Sequence, residues 1–118
     1  AMTHPIVSPF FAAMQTQGQK EDELLALFAD DAVYVEPFTG VERTHQGKQA
    51  VRAAFRLGWR QPLPDMTIEV DDVSVDGEQV RASWTCRSPA LPGGRGRGEN
   101  VFTVRGGLIT RLVTRFLP

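Results

Sequence analysis

The chain has 118 residues, 42% of them hydrophobic and 23% charged, with a formal net charge of −1. That length supports a single domain over residues 1–118 and excludes two independent cores, and no apolar run approaches the roughly 20 residues needed to cross a bilayer. One cysteine, Cys86, cannot close an intrachain disulfide, no Cys/His spacing suggests a metal, and no signal peptide is recognisable, so the expectation is a cytoplasmic protein without metal or cofactor and without a membrane partner.

In chain order, Ser8-Pro9 reads as an N-cap followed by a first-turn proline, and Phe10, Phe11, Ala13 and Met14 give an apolar helix face that Gly18 ends. A start near Thr3, with Pro9 as a kink, fits the same residues. Residues 21–28 form a second helix with three acids at its positive end and Leu24, Leu25 and Leu27 or Phe28 buried. Asp30-Asp31 breaks that helix, and residues 32–36 read as a strand, because Val33, Tyr34 and Val35 are strong strand formers; alternation puts Tyr34 and Glu36 on one face. Residues 38–45 read as a loop. A third helix over 47–58 buries Ala50, Val51, Ala54 and Phe55, presents Lys48, Arg52 and Arg56 to water, and stops at Gly58.

From Met66 the pattern is all strand. Residues 66–75 alternate with a bulge at Asp71-Asp72, Asp76-Gly77 signals a tight hairpin, and residues 78–87 return, with Val80, Ala82, Trp84 and Cys86 on one face. A glycine-rich, arginine-bearing loop follows, then strands 99–105 and 108–117 joined at Gly106-Gly107. From Arg81 onward seven arginines face one acid, Glu99. Alternate spacing makes them one solvated sheet face, and no motif with stacking aromatics accompanies them, so nucleic acid is not an expected partner.

Three helices followed by an antiparallel meander is an α+β arrangement in which a curved sheet wraps helices and encloses a pocket. The run Ala26-Leu27-Phe28-Ala29-Asp30-Asp31-Ala32, the acid-proline strand end Glu36-Pro37, the helix start Gly47-Lys48-Gln49-Ala50-Val51 and the closing hairpin from Asn100 to Arg111 together resemble the SnoaL-like and ketosteroid-isomerase-like proteins of the nuclear transport factor 2-like superfamily. The resemblance covers nearly the whole chain. It implies a conical fold with N-terminal helices packed on a curved, mainly antiparallel sheet around an apolar cavity, and a homodimer.

It also implies roles. Glu36 falls where the isomerase pattern has the carboxylate that shuttles a proton next to a carbonyl. The helix tyrosine of that pattern falls on Phe10, which has no hydroxyl, and the strand aspartate on Asn100, whose amide donates a hydrogen bond but is no acid. Tyr34, sharing the Glu36 face, offers a hydroxyl in their place. The expected site is therefore Glu36, Asn100 and Tyr34, with Phe10, Met14, Phe55, Trp59, Trp84 and Phe102 against a small apolar or carbonyl-bearing molecule. Two functions are compatible with this set: an isomerase or cyclase with Glu36 as base, or a module that binds a hydrophobic molecule without changing it. His45 reads as a surface or capping residue, and His4 as uninformative.

Overall fold

The computed structural model describes residues 4–118. Helices α1 (Val7–Met14) and α2 (Glu21–Leu25) precede strand β1 (Phe28–Glu36) and the short β2 (Arg43–Gln46); α3 (Lys48–Arg60) follows, then β3 (Thr67–Asp76), β4 (Gln79–Arg87), β5 (Arg95–Arg105) and β6 (Leu108–Leu117). The six strands form one open sheet in the order β2-β1-β6-β5-β4-β3. All neighbours are antiparallel except β1 and β6, which run parallel. Register shifts at Phe28/Val33, Val70/Asp72 and Thr103/Val104 bend the strands, as bulges do. No helix among the described residues is long and apolar enough to cross a membrane.

The α+β expectation holds, with local corrections. Helix α1 starts at Val7, so Ser8 is not its N-cap; the His4 Nδ1 accepts the Ile6 N–H at 3.1 Å and the His4 N–H meets the Ser8 hydroxyl at 3.3 Å. Pro9 falls in the first turn of α1, where a proline is tolerated. Helix α2 ends at Leu25, and Asp30-Asp31 lies inside β1 rather than before it, because Phe28 already pairs with Ile109 of β6. Residues 43–46, expected as loop, form β2. Gly58 does not stop α3, which runs to Arg60.

Both hairpin turns are as tight as expected. Asp76 pairs with Gln79 and Arg105 with Leu108, leaving two-residue turns. Gly106 and Gly107 both take positive φ (57° and 78°), the backbone that a mirror-image hairpin turn requires.

Strand β5 begins at Arg95, four residues before its expected start. Gly98 sits inside it for a steric reason: the Trp84 ring of β4 lies over its Cα, and a Cβ there would overlap Trp84 Cζ2, Cη2 and Cε2.

The core lies between the helices and one face of the sheet. Phe10 of α1 meets Phe102 edge-on at 5.1 Å and Phe11 at 5.2 Å, and Phe55 of α3 meets Tyr34 at 4.9 Å and Phe28 at 5.9 Å between ring centroids. These rings, with Val7, Leu24, Leu25, Val51, Ile109 and Leu112, are buried. Edge-on contacts of this kind add about 0.5–1.5 kcal/mol each beyond burial.

Gly98→Ala is expected to cost about 1–3 kcal/mol by overpacking against Trp84. Gly96→Ala in the same strand, whose Cβ would meet Leu91 Cδ1 at an ordinary 3.9 Å, should change stability little. Urea unfolding of the two variants checks this; equal midpoints would show that Trp84 moves aside.

Candidate functional site at the open end of the sheet

Residue alternation and strand register bring the polar residues of the inner face into one row. Asn100 of β5 lies opposite Ala82 of β4 and Thr114 of β6, and the parallel pairing of Val35 with Val113 carries Glu36 of β1 to the level of Thr114. One strand further on, Glu36 faces Arg43 and Tyr34 faces His45. Glu36 and Asn100 thus flank β6, their backbones about 10 Å apart at two strand spacings. Deeper in the sheet stands the packed aromatic core. Toward the open end stand Phe116, Gly98 and Trp84 in one row, with Phe38 against Phe116 at 5.6 Å; Phe38 and Phe116 are 55% and 57% exposed.

Glu36 is 2% exposed, with both carboxylate oxygens hydrogen-bonded. Its Oε2 accepts from Arg43 Nε at 2.8 Å, Arg43 Nη2 at 2.8 Å and His45 Nε2 at 2.9 Å, and its Oε1 accepts the Phe38 N–H at 2.8 Å. Pro37 makes the last of these possible by ending the ladder, since it has no N–H to pair and turns the chain so that Phe38 faces back. Burial acts to raise the Glu36 pKa, but His45, the Phe38 N–H and Arg43 outweigh it, and the carboxylate stays below its ordinary value.

Asn100, 4% exposed, accepts at Oδ1 from Trp84 Nε1 at 3.1 Å and from the Thr114 hydroxyl at 2.9 Å. An indole nitrogen only donates, which fixes which amide atom faces it and leaves Nδ2 directed elsewhere. Tyr34 is buried beside Phe55 and 5.9 Å from the His45 ring. Burial and the Glu36 charge push its phenol upward in pKa against the influence of Thr114 and Arg43, so the hydroxyl keeps its proton.

Of the expected contact residues, Phe10, Phe55 and Phe102 are packed against one another in the core, and Met14 packs at its margin. Trp84 sits at the row of Gly98, next to Asn100. Trp59 lies against Phe55 at 6.0 Å and lines a surface recess of about 530 Å³ with Gln17, Gly18, Glu21, Arg56 and Arg60, on the outer side of α3. Its indole N–H is buried with no partner among the described residues.

Arg43 and His45 are the residues that sequence reasoning left out. His45 is not a surface or capping residue; its side chain is 18% exposed and bonded to Glu36. The available signal was the i, i+2 spacing of Arg43 and His45, which puts both on one face of any strand. Cys86 is buried, and burial pushes its thiol up, which leaves it a core residue.

A carboxylate with a depressed pKa contributes stability that is fully present above its ordinary value of 4.5 and is lost as pH falls through the folded-state value. Glu21, held at about 2 by Arg56 and Arg52 against burial, adds a second component at lower pH. Glu36→Gln is therefore expected to lower unfolding free energy by about 1–3 kcal/mol at pH 7, the worth of hydrogen bonds to a charged group, and by less near pH 3. Denaturant unfolding at the two pH values measures this, and an equal loss at both would show that the Glu36 charge is not what stabilises.

Comparison with known proteins agrees with this architecture. Among solved structures, the chain is similar to a candidate polyketide cyclase from Sinorhizobium meliloti (TM-score 0.79, 24% identity, 96% of this chain and 95% of that one). It is also similar to a candidate ketosteroid isomerase from Kribbella flavida (0.75, 20%, 99% and 78%). A nuclear transport factor 2-like protein from Cytophaga hutchinsonii follows the same path (0.72, 13%, 96% and 88%). At these identities the likeness is one of fold, the nuclear transport factor 2-like fold. No curated protein matches the chain by sequence. The family model of the SnoaL-like domain matches residues 7–112, nearly the whole described fold, and the chain belongs to that family.

Proposed function

We propose that this protein acts on a small carbonyl-bearing molecule at the open end of the sheet, moving a proton next to the carbonyl as an isomerase or cyclase does, with the Glu36 end of β1 as its reactive end. The observation that carries the reading is a buried carboxylate kept charged on the inner face and bonded to an imidazole, one strand from Thr114 and two from Asn100. Glu36 is the sequence-level choice for the base. Tyr34 and Asn100 are the groups suited to polarise the carbonyl, the first because its hydroxyl stays protonated and the second because Nδ2 remains a donor. Trp84, Phe38 and Phe116 supply apolar surface for the rest of the molecule.

A second reading, binding without turnover, is favoured by one observation: the rings of Phe10, Phe28, Phe55 and Phe102 fill the deep end of the inner face, where a cavity was expected. The family resemblance adds a homodimer through the outer sheet face, where Val35, Val101 and Val113 align; solution mass tests it.

The two readings part on hydrogen exchange. With 2-tetralone as probe in D2O, the wild-type protein is expected to speed deuterium uptake next to the carbonyl. Glu36→Gln should lose about 10²-fold or more of that acceleration while 2-tetralone affinity changes only a few-fold. Binding without accelerated exchange by the wild type would favour the second reading.

A further inference from the structure

We infer that His45, through Nδ1, is the group that takes the proton in the reaction proposed above, and that Glu36 is the positioning residue that holds it. The inference rests on that reading of the site and changes which atom does the work.

The first observation is the state of Glu36. Four N–H groups point at the carboxylate, three of them (Arg43 Nε, Arg43 Nη2 and His45 Nε2) at Oε2 and one, the Phe38 amide, at Oε1. To accept a proton from carbon, Glu36 has to neutralise a charge that faces Arg43 and that all four of these bonds favour. Its surroundings favour the charged form and so make it a weak base.

The second observation is the state of His45. An ionised carboxylate only accepts, so Nε2 carries a hydrogen, and the neutral ring then keeps its lone pair at Nδ1. Nδ1 has no hydrogen-bond partner among the described residues, and Trp59 Nε1 is the one side-chain atom among them that is both sealed and unpaired, so Nδ1 retains access to solvent. The ring projects from β2 beside Tyr34 on the inner face. The charged groups around it are Glu36 and Arg43; the nearest cation of α3 in sequence, Lys48, is turned to Asp30 at 3.5 Å.

These states define a balanced step. The Nδ1 lone pair forms an N–H bond as the C–H bond next to the carbonyl breaks, and the electron pair of that bond passes to the carbonyl oxygen as an enolate. Asn100 Nδ2 and the Tyr34 hydroxyl are the donors available to it. The imidazolium so formed faces the Glu36 carboxylate, which stabilises it, and Nδ1 returns the proton to carbon when the carbonyl re-forms. No oxidant, metal or second substrate is consumed. Glu36 thereby plays the part that a carboxylate plays beside a catalytic histidine: it fixes the tautomer and offsets the positive charge.

The test has a readout independent of turnover. In protein labelled with ¹⁵N at histidine and held at alkaline pH, where the ring is neutral, His45 is expected to show the Nε2–H tautomer with a bare Nδ1. Deuterium uptake by 2-tetralone is expected to fall about 10²-fold or more in His45→Gln, which keeps an N–H donor for Glu36. Added imidazole should restore part of it to His45→Ala but none to Glu36→Gln, with circular dichroism confirming that each variant folds. An Nδ1–H tautomer, or full exchange in His45→Gln, overturns the inference and leaves Glu36 as the base. Failure of the wild type itself to accelerate exchange overturns the proposed reaction and this inference with it, a result distinguishable because no variant then differs from buffer.

Discussion

The buried carboxylate of Glu36 is the constraint on which the open end of this fold depends. An unpaired ionised carboxylate at this depth would cost several kcal/mol, so the chain around it has to supply donors. It does so with residues close in sequence: the Phe38 N–H after Pro37, and Arg43 and His45 from the next strand. Strand β2 has four residues and none of them is buried. A strand that short and polar gains little from apolar burial. Its place at the sheet edge follows from the β1 ladder and from the three bonds that Arg43 and His45 make to one oxygen of Glu36.

The inner face is graded from the helices outward. Nearest the helices, five aromatic rings pack edge to face. In the middle row the buried groups are polar, and they satisfy one another: Trp84 and Thr114 donate to Asn100, while Arg43 and His45 donate to Glu36. Outermost, Phe38 and Phe116 stand exposed. Gly98 links the last two layers, because only a residue without a side chain lets Trp84 lie flat enough over β5 to reach Asn100. One glycine thus positions an amide that sits two strands away from the carboxylate.

Helix existence, the long strands, the bulge at Asp71-Asp72 and both hairpins were legible in the sequence, because periodicity and turn chemistry are local. Two of the misplaced boundaries share one cause. Asp30-Asp31 and the segment before Glu99 look like breaks when read alone, yet each is held in a strand by a neighbour distant in sequence: Ile109 pairs Phe28, and Trp84 of β4 covers Gly98. Gly58 reads as a helix stop, but α3 continues through it with ordinary backbone to Arg60. The inward face of Glu36, shared with Tyr34, was legible from strand alternation. His45 was not, because Arg43-Thr44-His45-Gln46 has the composition of a loop and becomes a strand only by pairing with β1.

Membership of the SnoaL-like family accounts for the scaffold, and on it the aromatic packing and the polar row are physically connected. Phe10, a ring without a hydroxyl, makes edge-on contact with Phe11, Phe55 and Phe102 and closes the deep end by packing. Asn100 cannot serve as an acid, and its oxygen is spent on Trp84 and Thr114, which leaves only its nitrogen for a ligand. The charged groups of the inner face, Glu36 and its partner Arg43, stand at the β1–β2 edge. Beyond them stand the exposed rings of Phe38 and Phe116, 5.6 Å apart.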